Sequence, residues 1–91
     1  MDSKIKEGSL VVSNSGHDKG RAYLVLKVLE NCVLCVDGEY RLIQNPKKKR
    51  LKHVKSYYSC YEDLIAKYKN GKLYDFEVKT IIKREVKMHK V

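Results

Sequence analysis

From Gly8 onward the chain sets short apolar runs between clusters of turn residues. GSLVVSN opens at Gly8 with a β-branched run and reads as a strand. SGHDKG, polar and bounded by glycines, reads as a loop. Arg21–Glu30 (RAYLVLKVLE) reads as a second strand. It is apolar on both faces near Tyr23–Leu26, so that end is covered on both sides. Glu30-Asn31 predicts a tight turn, and Cys32–Val36 (CVLCV) a third strand. Asp37-Gly38 is a two-residue hairpin signal. Glu39–Ile43 (EYRLI) alternates polar and apolar positions, which predicts a half-buried fourth strand with Tyr40 partly in the core. Asn45-Pro46 ends it, and Leu51–Val54 (LKHV) reads as a short fifth strand. Five such strands joined by tight turns predict a small closed barrel.

The pattern changes after residue 58. Ser59-Cys60-Tyr61-Glu62 fits a capping box, with Ser59 as N-cap and Glu62 at the third helical position. A helix through about Lys69 should end at Asn70-Gly71, where left-handed backbone is accessible. Asp75 then predicts the N-cap of a second helix reaching about Lys87, with Val78, Ile81, Ile82 and Val86 on one apolar face. The expected organisation is a barrel over residues 1–57 and a helical extension over 58–91 packed upon it. With 91 residues, one Phe and no Trp, the core must come from Val, Leu, Ile and parts of the Tyr rings.

Charge adds a direction. The formal net charge is +9, and residues 41–55 (RLIQNPKKKRLKHVK) hold seven Lys or Arg with no acid, so the remaining residues sum to only +2. A solvated helix face interleaves signs, as EVKTIIKREVKMHK does. A one-sign cluster repels itself unless a partner neutralises it, which favours polyanion binding: nucleic acid first, an acidic membrane surface second. No run approaches the roughly 18–20 apolar residues of a membrane span, and MDSKIKEGSL lacks the apolar segment of a secretory signal. Three cysteines, an odd number, fit a reduced cytoplasmic chain.

The segment EGSLVVSNSGHDKGRAYLVLKV resembles the KOW motif of several large-subunit ribosomal proteins and NusG-type transcription factors. The matching residues are Gly8, Val11, Val12, Ser15, Gly16, Asp18, Lys19, Gly20 and the strand after Arg21. The continuation VLCVDGEYRLIQNPKKKRLKHV is similar to the eukaryote- and archaeal-type large-subunit ribosomal proteins of the fourteen-e class and their short bacterial relatives. The resemblance covers about residues 7–55. It implies a mainly β fold, an SH3-like five-stranded barrel of KOW type, here with two C-terminal helices. It also implies RNA binding, often on the ribosome. It does not extend to residues 57–91.

The residue types suit that chemistry. Lys47, Lys48, Lys49, Arg50, Lys52 and Lys55 can each approach a phosphate and release condensed counterions. On this reading Lys47–Arg50 occupy a structured loop, and reversing their charge leaves the fold intact. Arg41 and Arg50 add planar, bidentate donors. Gly16 and Gly20 let backbone approach a ligand, with Lys19 and Arg21 beside them and His17 able to stack or donate. Asp18 reads as a turn cap holding the loop. Tyr57 and Tyr58 follow the basic window, placed either to stack on bases or, with Tyr61, to anchor the helices. In a simple meander with these strands, the loop at 15–20 and the basic stretch fall at opposite ends, and the stretch at 47–55 is the preferred site.

Other chemistry finds little support. Cys32 and Cys35 have the spacing of metal ligands but opposite parity on a strand, so they read as buried small hydrophobes, with no metal or cofactor. There is no catalytic triad ordering and no GxxxxGK[ST] phosphate loop. The expected function is therefore non-catalytic RNA binding in the cytoplasm, with ribosomal RNA or a ribosomal particle as partner and no membrane. The alternative is a protein-interaction module of the transcription or translation machinery, using residues 59–91 or a barrel groove.

Overall fold

The three apolar runs predicted first pair in chain order to form the middle of one sheet. A computed structural model describes residues 5–89, apart from the side chains of Tyr58 and His89. Its elements are β1 (Ser9–Ser13), β2 (Ala22–Val28), β3 (Cys32–Val36), β4 (Lys47–Arg50), a single 3₁₀ turn at Leu51–His53, β5 (Val54–Cys60), α1 (Glu62–Lys69) and α2 (Asp75–His89). The strands form one antiparallel sheet in the order β4-β3-β2-β1-β5. The fold is mainly β: a curled five-stranded half-barrel with two helices. β4 and β5 do not pair, so the closed barrel expected from the strand count is not formed as a continuous ladder.

Two irregularities in register help the sheet to curl, one where β5 carries extra residues opposite Ser9–Val11 of β1 and one in β2 between Val25 and Lys27. Alternation along the strands splits the core in two. Leu10, Leu24, Leu26 and Val36 face the helices and pack with Leu64, Ile65, Leu73, Val78 and Ile82. Val11, Tyr23, Val25, Val33, Cys35 and Val54 fill the opposite side, inside the curl. This explains the doubly apolar stretch in the second strand: both faces are covered, by different partners.

The fourth strand is not where alternation put it. Asp37-Gly38 makes no hairpin, and residues 39–43 form no strand. The Asp37 carboxylate accepts the backbone N–H groups of Glu39, Tyr40 and Arg41 at 2.8–2.9 Å. Ile43 gives its N–H to Asp75 Oδ1 at 2.8 Å. The donors a ladder would need are thus taken by carboxylates. Gly38 sits against the start of α2: a Cβ there would lie 2.3 Å from the Asp75 carbonyl oxygen and 2.7 Å from the Lys79 nitrogen. Tyr40 is 69% exposed and not in the core.

The helix ends differ as well. Ser59 and Cys60 belong to β5, and Tyr61 precedes α1 without a side-chain cap. Ser59 Oγ instead donates to Glu85 at 2.9 Å, and Tyr61 OH donates to the same carboxylate. Burial, the Tyr61 hydrogen bond to Glu85 and the Glu85 charge push the Tyr61 hydroxyl above its usual range. Asp75, expected as the N-cap of α2, is its first helical residue, so the N-cap position falls on Tyr74. The Tyr74 N–H donates to Glu77 Oε1 at 3.2 Å, and the Glu77 N–H donates to the Tyr74 carbonyl at 3.0 Å. Val78 and Ile82 face the core, Ile81 packs at its margin, and Val86 is exposed, while the adjacent Glu85 is buried.

Candidate nucleic-acid interface

The basic run KKKR is β4 itself rather than a loop. Lys47 lies opposite Cys35 and Lys49 opposite Val33, residues that face the inside of the curl. Lys48 and Arg50 lie opposite Leu34 and Cys32 on the other face. Parity therefore divides the four cations into an inward and an outward pair.

The inward pair converges on Asp18. Lys49 is only 8% exposed, and its Nζ is 3.1 Å from Asp18 Oδ1 and 3.4 Å from the Ser15 carbonyl oxygen. Lys47 Nζ is 3.9 Å from Asp18 Oδ2. Asp18 also accepts Ser13 Oγ at 2.9 Å and Tyr23 OH at 2.7 Å. Burial pushes the Asp18 carboxyl up, but the hydrogen bonds from Tyr23, Lys49 and Ser13 and the charge of Lys49 outweigh it, leaving the group far below the usual carboxylate range. Burial and the same contact push the Tyr23 hydroxyl well above its ordinary value. Asp18 is thus a half-buried hub, more than the turn cap read from sequence.

This convergence overturns the expected separation of the loop and the basic stretch. Without a strand at 39–43, the connection after β3 runs from 37 to 46. In an antiparallel meander the connections after β1 and β3 share an end. The start of β4 consequently meets the loop between β1 and β2.

Within that loop the backbone is largely committed to itself. The Gly20 N–H donates to Ser13, Lys19 to Gly16 and Arg21 to Asp18. The Gly20 amide is therefore engaged and not directed at a ligand, while His17 and Lys19 are exposed. Gly16 takes φ +83° and is exposed. Arg21 places its guanidinium 4.6 Å from the centre of the Tyr40 ring and 3.7 Å from Asp37 Oδ2. Tyr40 is a residue that sequence reasoning missed, because alternation assigned it to a strand.

Lys52 lies on the 3₁₀ turn and Lys55 on β5 opposite Val12; both are exposed. Arg41 is half-buried at the foot of the 37–41 loop. Among the described residues no carboxylate pairs with Arg41, Lys48, Arg50, Lys52 or Lys55. Tyr57 is half-buried against the helix-side core, as is Tyr61, so both help to anchor the helices. Tyr58 lies on β5, and its side chain is outside the described set.

A cross-strand row adds a cation that the sequence did not single out. Lys27, Leu34 and Lys48 are in register across β2, β3 and β4, and Lys27 is exposed. Adjacent strands lie about 4.8 Å apart, which sets Lys27 and Lys48 about 10 Å from each other.

Cys35 is fully buried, with its thiol pushed up to about 12, chiefly by burial, and it donates weakly to the Lys47 carbonyl at 3.6 Å. It is an inert packing group; Cys32 is only half-buried, unlike the expectation. Among the described residues, no group of three or more His, Cys, Asp or Glu is placed to hold a metal ion. No described helix is long and apolar enough to cross a membrane. No protein-family model matches this chain, and no curated protein matches it in sequence.

Proposed function

We propose that this chain is a non-catalytic RNA-binding protein of the cytoplasm, built on an SH3-like barrel of KOW type and acting on ribosomal or other structured RNA. One observation carries the reading. After Lys47 and Lys49 are committed to Asp18, five cations of the 41–55 window keep no carboxylate partner among the described residues. A single-signed set of this kind is balanced by phosphates. Lys48, Arg50, Lys52 and Lys55 make the contacts, with Arg41, Lys19 and Arg21 at the margin.

The test is co-sedimentation with ribosomal particles and filter binding to structured RNA by the K48E/R50E/K52E/K55E variant. RNA binding is lost at moderate salt while the circular dichroism spectrum and Tm stay at parental values. Parental RNA affinity in that variant removes the reading. A second reading, protein docking on α2, draws on Phe76 and Met88, which are 67% and 70% exposed. Partner capture that survives high salt and disappears in F76A/M88A selects it instead.

A further inference from the structure

We infer that the Arg21–Tyr40 stack is a seat for an unpaired nucleobase, so that the RNA is single-stranded where it meets this end of the sheet. The inference rests on the RNA-binding reading above and names the form of the ligand.

An exposed arginine ordinarily samples many rotamers, and an exposed tyrosine ring adds nothing to a core. Here each holds the other in place. The Arg21 guanidinium lies 4.6 Å from the Tyr40 ring centre, with Asp37 Oδ2 at 3.7 Å. Asp37 is fixed in turn by the amides of Glu39, Tyr40 and Arg41. The planar groups are therefore oriented before any ligand arrives. They remain open: the Tyr40 residue is 69% exposed and the Arg21 side chain 44%. Beside them, a Cβ added at Gly20 would meet nothing within 4 Å, so the neighbouring backbone leaves room. Lys19, one residue further, is exposed to meet the adjoining phosphate. Guanidinium planes and aromatic rings are the surfaces on which splayed bases stack, whereas a duplex keeps those base faces hidden.

The experiment measures anisotropy of a fluorescein-labelled 12-nucleotide single-stranded RNA, the same backbone made abasic, and a 12-base-pair RNA duplex. The parent is compared with Y40A, Y40F, R21A and R21K, each checked for Tm. The single strand binds the parent about 5- to 150-fold more tightly than its abasic counterpart, the range expected for stacking of one base. Y40A and R21A collapse that ratio, Y40F keeps it, and R21K loses most of it despite its charge. The salt slope of Y40A equals that of the parent, because no phosphate contact is removed.

Equal binding of the abasic strand, preference for the duplex, or a Y40A loss shared by all three RNAs overturns the inference. So does an oligoglutamate peptide whose binding, unlike that of RNA, depends on Tyr40, since the stack then serves a protein ligand. If the parent binds RNA and K48E/R50E/K52E/K55E abolishes it while Tyr40 has no role, the inference alone falls. If the parent binds no RNA, the function proposed above falls with it.

Discussion

Asp18 receives hydrogen bonds from Ser13, Tyr23 and Lys49, and that convergence fixes how the loop responds to acid. Its carboxyl is depressed in the folded state, so the stability it contributes is complete above the ordinary carboxylate range. That contribution is lost as pH falls through that range toward the folded value. Y23F removes one donor to the anion, which raises the folded value toward the ordinary one. It should cost about 2 kcal/mol at pH 7, as hydrogen bonds to charged groups do. Parent and variant should lose stability in parallel as pH falls through the ordinary carboxylate range, where the unfolded chain protonates first, and the gap should narrow only nearer the depressed folded value; urea unfolding at pH 7 and pH 3 reads both. Lys49 and its neighbour separate burial from charge. K49A leaves half-buried Asp18 with only the longer Lys47 contact and should cost about 3 kcal/mol. K48A, on the exposed face, should stay within about 0.5 kcal/mol. Thermal unfolding of the two variants decides this, and equal losses would remove the structural role given to Lys49. The sequence alone suggested that reversing the charge of residues 47–50 leaves the fold intact; a carboxylate at position 49 would instead face Asp18, so that reversal should destabilise the fold.

At the level of elements, the connection between β3 and β4 is shaped by α2. Gly38 takes φ +77° with Asp75 and Lys79 backbone directly above it. Gly20 takes φ +90° beside open space. G20A should then cost about 1–2 kcal/mol for the left-handed backbone alone. G38A adds a clash with backbone that cannot rotate away, and should cost at least about 3 kcal/mol, with faster hydrogen exchange in the first turn of α2. Comparable losses at both positions would mean that the helix does not rest on the loop. These contacts also explain what was legible. β1, β2, β3 and both helices announce themselves through apolar period and turn residues. β4 does not, because four consecutive cations carry no alternation; they become a strand through the β3 ladder and through a carboxylate some 30 residues away in sequence. Residues 39–43 show a strand period, but their amides bond to Asp37 and Asp75, pairings that hydropathy does not encode. Likewise Ser59 has a capping sequence, yet its hydroxyl is claimed by Glu85 from the other end of the tail.

Across the whole molecule, about 30 × 30 × 22 Å, most of the excess positive charge comes from one fifteen-residue window. The window was visible in the sequence; which of its cations are available was not, since that depends on strand parity and on Asp18. Five available cations give a log–log salt slope for RNA binding of about −4, at 0.7–0.9 per phosphate. Titrations between 50 and 200 mM salt test this, and a slope near −1 would mean that charge is not the main grip. The helices cannot be deleted to test their role, because Leu64, Ile65, Leu73, Val78 and Ile82 complete the core over β1 and β2. Exposed α2 side chains such as Phe76 and Met88 must be substituted instead. The position of β4 at the border of the sheet has one more consequence. A border strand offers unpaired backbone to any passing strand, including one from a second copy of the chain, and natural proteins guard such borders with lysine. Lys48 and Arg50 guard this one by mutual repulsion between copies, a protection that depends on their charge staying bare. Salt, or a polyanion seated on the same side chains, weakens it, so the ligand proposed for these cations would also lower the barrier to self-association.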